Sequence, residues 1–318
     1  MSYTHLTEGE RNIIGALRSC GFSRRRIASI LERSPSTISR ELHRNRSHRG
    51  KYESDRAGSY YRRRRRRNAR PIKLTRPLWR MIRDLVRKNW SPEQISIRLR
   101  VKGIISISHE TIYRAIWRNK AQGGNLWRHL RQSLKKRRKG YNTKDSRGRL
   151  SGKTLITERP PHIEHRDEPG HWEADTVAGR GSKHGIVTLV ERMTGYTLIG
   201  KITARTVAQT NASISQLLMM NRDLPFETIT FDNGTEFHGY AEIERTHGVK
   251  AYFAHPYHSW ERGTNENTNG LIRQYMAKTK SMARRNQHYC DWVADQLNTR
   301  PRKRHEGKTP EEVMMELI

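Results

Sequence analysis

The sequence is poor in cysteine, in long apolar runs and, over its first half, in acid. Only Cys20 and Cys290 are present. They form no C-x-x-C pair, so neither a disulfide scaffold nor a cysteine-rich zinc module can be built. Two free thiols in a reducing cytoplasm is the expected state. No stretch is long and apolar enough to span a bilayer, and no basic helix carries a lipid-facing side. The start, MSYTHLTEGERNII, lacks the basic and apolar regions of a secretory signal. Acid is scarce where base is dense: residues 1–170 hold 44 Lys and Arg against 14 Asp and Glu, whereas residues 171–318 hold 19 and 17. The front half is therefore built to lie on a polyanion, and nucleic acid fits better than a membrane surface. The back half reads as an ordinary globular domain. A chain of 318 residues has room for an α/β domain of roughly 150 residues and one or two small modules.

What is present begins with helix grammar. Thr7-x-x-Glu10 is a capping box ahead of Ile13, Ile14 and Leu17, and Gly21 marks the stop. Ser23 caps a second helix with Ile27, Ala28 and Leu31 inward. Ser34-Pro35 starts a third, with proline in the first turn where its missing N–H costs nothing. Ile38 and Leu42, four apart, face the core. That leaves Ser36, Thr37, Ser39, Arg40 and Arg44 free to reach base edges or phosphates, as a recognition helix does. Residues 1–50 thus read as a helix-turn-helix. Residues 51–76, with the run Arg62 to Arg67, read as a basic linker.

Residues 77–125 repeat the grammar. Ser91-Pro92-Glu93-Gln94 opens a helix with Ile95 and Leu99 on one side, and Gly103 breaks it. Ser108 caps HETIYRAIW, with Ile112 and Ile116 inward and His109, Thr111 and Arg114 facing DNA. A helical hairpin packed on the following domain fits the same pattern. Residues 126–165, including KKRRK from Lys135 to Lys139, form a second basic linker. Such like-charge blocks are solvated, and between two helix-turn-helix units they would track phosphates or enter a minor groove. The histidine pairs His162/His165 and His255/His258 lack cysteine partners and read as surface or DNA-facing residues.

From about Arg166 the pattern changes. Strands are expected at His171–Val177, Gly185–Arg192 and Tyr196–Ile202, then a helix at Val207–Met220. A strand at Thr228–Asp232, a helix around Gly239–His247, a strand at Val249–Ala254 and a helix from about Thr264 follow. Three strands in a meander followed by alternating helix and strand fit an α/β fold of ribonuclease-H type. Asp175 and Asp232 close apolar, β-branched runs, and Glu173 lies two residues before Asp175 on the same face. Glu236, Glu261 and Glu266 compete to be a third acid. Glu266 sits in the first turn of a helix, which fixes its direction, with Asn269 and Arg273 on its face. Two strand-borne aspartates and a helix-borne glutamate are the oxygen ligands that two Mg²⁺ ions need for in-line phosphoryl transfer.

The words around these acids, HWEADTV, FDNGTEF, PYHSWERGTNENTNGLIRQY and LNTRPRKRHEGKTPEEV, together with SPSTISRELHRN near the start, resemble transposases of the insertion sequence thirty family. These belong to the wider DDE transposase and retroviral-integrase group. The 33 residues between Asp232 and Glu266 are close to the spacing usual in that group. The resemblance implies helical DNA-binding modules followed by an integrase-like catalytic core over residues 166–318. It selects Asp175, Asp232 and Glu266 as catalytic and metal-binding residues, with two Mg²⁺ (or Mn²⁺) ions as cofactor. Arg262 and Arg273 are expected to contact DNA. The implied partners are double-stranded DNA, both element ends and target, and further copies of the chain in a dimer or larger assembly. The implied location is the bacterial cytoplasm, at the nucleoid when DNA-bound. One departure stands out: where the family reads F-P-K-G-T, this chain reads Met276-Ala277-Lys278-Thr279-Lys280, which is expected to lengthen the preceding helix or alter the turn. A DNA-binding repressor with an inert core, and a nuclease that cleaves without joining, are the competing classes.

Overall fold

The computed structural model describes residues 4–47, 50–68, 74–131, 152–181, 183–255 and 258–318. The chain divides into two compact units, 1–73 and 74–318.

In the first unit, α1 (Glu8–Ser19), α2 (Arg24–Ile30) and α3 (Pro35–Arg44) pack around Ile14, Ile27, Ala28, Ile38 and Leu42. Each isoleucine is 0% exposed, and burial of one such side chain contributes about 1.5–3 kcal/mol. The Thr7–Glu10 capping box forms in both directions, and Ser23 and Ser34 cap α2 and α3. Ile13, expected inside, is 44% exposed because its neighbour Ile14 takes the core-facing position. The arginine run departs from expectation too. It forms the last turns of α4 (Ser54–Arg67), which packs on α1 through Ala57 and Gly58, so residues 54–67 belong to the first unit and are not a linker. Arg62 pairs with Glu8 and Arg64 donates to Asn45, which accounts for helical order in so charged a segment.

The second unit opens with α5 (Arg76–Arg87), α6 (Pro92–Val101) and α7 (His109–Ala121), whose core includes Leu78, Ile82, Ile95, Leu99, Ile112 and Ile116. A one-turn helix, α8 (His162–His165), precedes β1 (His171–Ala178), β2 (Gly185–Glu191) and β3 (Thr197–Ile202). Then come α9 (Val207–Met220), β4 (Thr228–Phe231), α10 (Tyr240–His247), β5 (Lys250–Phe253), α11 (Gly263–Ile272), α12 (Gln287–Asn298) and α13 (Pro310–Met315). The sheet order is β3-β2-β1-β4-β5, with β1, β2 and β3 antiparallel in sequence and β4 and β5 parallel to β1. This is a ribonuclease-H-like α/β fold.

Alternation along β1 separates two cores. Trp172 and Ala174 pack with Ile214, Leu217, Ile243 and Met314 on one face, whereas Val177 packs with Leu271, Ile272, Val293 and Leu297 on the other. Asp175 shares the second face. The departure at Met276–Lys280 does not lengthen α11, which stops at Ile272. Met276 and Met282 instead fold into the second core, and Arg180 N–H donates to Lys280 O.

The two alternatives for residues 77–125 meet in one arrangement. α6 docks on the C-terminal part of the sheet domain while α7 keeps an open face. Gln94 donates to Pro301 O at 2.8 Å and accepts from Arg300 at 2.8 Å; Arg98 forks onto Glu312 at 2.6 and 2.8 Å. Gly307, at φ +96°, passes so close to Ile97 that a Cβ there would lie 2.6 Å from it. The RPRKRHEGKTPEE segment is therefore the seat of α6.

Candidate active site

Strand register brings the two aspartates together. His171, Trp172 and Glu173 of β1 pair in parallel with Thr228, Ile229 and Thr230 of β4. Continuing that register two residues places Asp175 level with Asp232. Both side chains converge on one guanidinium: Arg262 lies 3.7 Å from Asp175 Oδ1 and 3.4 Å from Asp232 Oδ2, and donates to Ala174 O at 3.3 Å. Asp232 Oδ1 also accepts from Gly234 N–H at 2.8 Å, the Asx turn that the Asp-Asn-Gly word encodes.

α11 closes the site. Asn269 donates to Asp175 Oδ2 at 2.6 Å, so the helix face bearing Asn269 lies against β1. Glu266, one turn earlier on that face, is exposed and has no hydrogen-bond or ion-pair partner among the described residues. The other candidates are committed elsewhere. Glu261 accepts from the backbone and ring of His255 at 2.8 and 2.9 Å. Glu236 accepts from Thr176 Oγ1 at 2.6 Å, which keeps it beside Asp175 but already bonded. Glu173 is committed as well. It is fully buried, pairs with Arg192 at 3.2 Å and accepts from Asn265 N–H at 3.0 Å in the first turn of α11. Its role is to anchor the helix that carries Glu266.

Burial pushes the Asp175 carboxyl up from its ordinary range; Arg262 opposes that shift, Asp232 adds to it, and the bonds from Thr176 N–H and Asn269 work against it. A carboxylate in that position is stabilised by a nearby cation. The guanidinium of Arg262 stands where a cation is held between the two aspartates, and its Nε is buried without a partner, as is Asn269 Oδ1. An all-oxygen donor set of two aspartates and an exposed glutamate fits a hard divalent ion such as Mg²⁺ or Mn²⁺, and not a thiolate-seeking metal.

The remaining expected residues fall in three groups. Ser36, Thr37, Ser39, Arg40 and Arg44 lie on the outer side of α3, with Arg40 donating to Ser36 O and Oγ. His109, Thr111 and Arg114 lie on α7, whose Arg114 is largely exposed beside Glu110. Arg273 forms the third. It donates to Ala178 O at 2.9 Å and Met276 O at 3.4 Å, so it ties α11 to the end of β1. His255, read as surface, is part-buried on Glu261. The KKRRK run lies outside the described residues. The roles of Asn269 and Glu173 are set by the packing of α11 on β1 and have no local signal in the sequence.

A sheet of this order, with two aspartates level on β1 and β4 and a helix laid against them, is the frame of a polynucleotidyl transferase of the DDE type. The model of a helix-turn-helix domain family matches residues 2–45. The transposase for insertion sequence element IS4351 of Bacteroides fragilis is 38% identical over 315 residues, 99% of this chain and 96% of that protein. Transposase InsI for insertion sequence element IS30A of Escherichia coli (strain K12) is 39% identical over 323 residues, 98% of this chain and 83% of that protein. The chain belongs to the IS30 family of transposases. Among solved structures, the catalytic core domain of BIV integrase aligns with 46% of this chain and 93% of its own, at 20% identity and a TM-score of 0.36.

Proposed function

We propose that the protein binds the terminal inverted repeats of its own insertion sequence and cuts and joins DNA there, with Asp175, Asp232 and Glu266 holding two Mg²⁺ ions. The observation that carries this reading is the level placement of Asp175 and Asp232 around one cation, with the Glu266 helix laid against them. When bound, the ions activate the attacking oxygen and neutralise charge on the leaving one. Asp175 and Asp232 would hold them from the sheet, with Asn269 orienting the Asp175 carboxylate and Glu266 completing the set from α11. Arg262, which lies between the aspartates, would then be available to strand phosphates. Water attack on the end phosphodiester frees a 3′-OH, and that hydroxyl attacks a target phosphodiester, releasing a second 3′-OH. One bond forms as one breaks at each step, so no covalent protein–DNA link is needed. The outer side of α3 and the open face of α7 read the end sequence. The reaction joins two ends, which favours a dimer or larger assembly acting on bacterial DNA in the cytoplasm.

The test incubates purified protein with labelled DNA flanking its own gene, plus Mg²⁺, and maps nicks and joined products. Asp175→Asn, Asp232→Asn and Glu266→Gln should each lose activity by on the order of 10³-fold or more, and combining them should add little, because residues acting as one unit are not additive. Glu261→Gln should keep most activity. A near-normal Glu266→Gln beside a dead Glu261→Gln would replace the third ligand. Binding without any strand chemistry in the wild type would favour the repressor class.

A further inference from the structure

Between α6 and the sheet domain lies a cleft of about 420 Å³ whose walls carry Arg131, Arg166, Arg300, Arg302, Lys303 and Arg304. Among the described residues, Lys303 alone of these six has a carboxylate at ion-pair distance, Glu93 at 2.8 Å. Arg300 is spent on Gln94 and Gln274, and Arg302 and Arg304 donate to the backbone carbonyls of Leu297 and Arg192. Arg131 rests on Asn267. The positive charge is thus hydrogen-bonded but not neutralised.

The cations also press on one another. Arg302 is held down to about 9, first by burial and then by Arg300, Arg304 and Arg131. Arg304 is lowered by burial and then by Arg166. An anion in the cleft would relieve that repulsion. A second observation points to a ligand: Thr264, 8% exposed, lines the cleft and its buried hydroxyl has no partner among the described residues. Thr264 is in the first turn of α11, where the helix end favours negative charge. Asn267 lines the same cleft, and Glu266 lies between the two on that helix.

We infer that this cleft is a strand-binding site that grips the backbone phosphates of DNA beside the first turn of α11, the helix that carries Glu266. Arg131 and Arg166 are its phosphate-contacting cations, Thr264 donates to a phosphate oxygen, and Arg300 and Arg302 brace the wall. The choice of DNA as the anion rests on the transposase reading. The cleft also gives α6 a purpose that base readout does not: docked through Arg98 and Gln94, it forms one wall of the cleft, with Glu93, Gln94 and Ile97 facing Thr264 and Asn267 of α11.

The experiment uses the full chain and measures affinity for an element-end duplex as salt is raised. Two phosphate contacts contribute about 1.8 to the log–log slope, so Arg131→Gln/Arg166→Gln should flatten it by nearly that amount. Arg131→Lys/Arg166→Lys should restore most of it, which separates lost charge from lost folding. A photoreactive residue at Asn267 should crosslink to the duplex. Wild-type slope in the double glutamine variant, or no crosslink from position 267 in a protein that binds and joins DNA, overturns the cleft and leaves the proposed function standing. A wild type that neither binds nor joins DNA overturns both.

Discussion

Glu173→Ala separates a structural acid from the reactive ones next to it. Glu173 is 0% exposed and Arg192 2%, and they meet at 3.2 Å. Removing one partner of a buried pair costs roughly 3–5 kcal/mol, because the other charge is left uncompensated. Arg192 keeps Glu164 at 3.0 Å and Ile163 O at 3.0 Å, so the loss sits near the lower end, about 3 kcal/mol. The N–H of Asn265 also loses its acceptor, adding about 1 kcal/mol. For a unit of this size each kcal/mol shifts Tm by about 2–4 °C, so the second unit should melt roughly 8–16 °C lower. Differential scanning calorimetry of the full chain reads this directly. Glu173→Ala/Arg192→Met removes both charges and should recover most of the loss. Strand joining at a temperature where the single variant is folded should still fall, since α11 loses its anchor. A single variant that melts within about 2 °C of wild type, or a double variant less stable than the single, refutes this account of the pair.

Thiol labelling offers an inexpensive check on packing. Cys20 is exposed, whereas Cys290 lies in the core under α12 with its thiol pushed up to about 11 by burial. One equivalent of an aromatic disulfide reagent should therefore react fast near neutral pH, and the second only on unfolding; two fast equivalents would contradict the α12 packing. The α6 seat should also be acid-sensitive. The hydrogen bond from Arg98 holds the Glu312 carboxyl down to about 2 from an ordinary 4.5. Because the folded value is the lower one, the stabilisation is present above pH 4.5 and lost as pH falls toward 2. The difference in unfolding midpoint between wild type and Glu312→Gln should be full near neutrality and close over that window, and a pH-independent difference would show that Arg98 is held by something else.

The amino-acid order alone determined a good deal of this protein. Caps at Thr7, Ser23, Ser34, Ser91 and Ser108 set helix starts through bonds to residues two or three positions away, so they are legible locally. The two-residue alternation of side chains along a strand puts Glu173 and Asp175 on one face without any tertiary contact. The words around Asp175, Asp232 and Glu266 named the family.

Tertiary structure decided the rest, where the deciding partner is distant in sequence. The register of β1 on β4 sets Asp175 level with Asp232, and α11 turns Asn269, not Arg273, toward the acid. The arginine run looked like solvated linker because repulsion dominates its local sequence, yet Glu8 and Asn45, far back in the chain, hold Arg62 and Arg64 in a packed helix. Glu173, Glu236 and Glu266 are set apart by partners that lie far away in sequence. One meets Arg192 and Asn265, one meets Thr176, and the third meets solvent. The basic cleft is the clearest case, since its cations come from three segments of chain and acquire a common purpose only when α6 docks on the residues around Arg300.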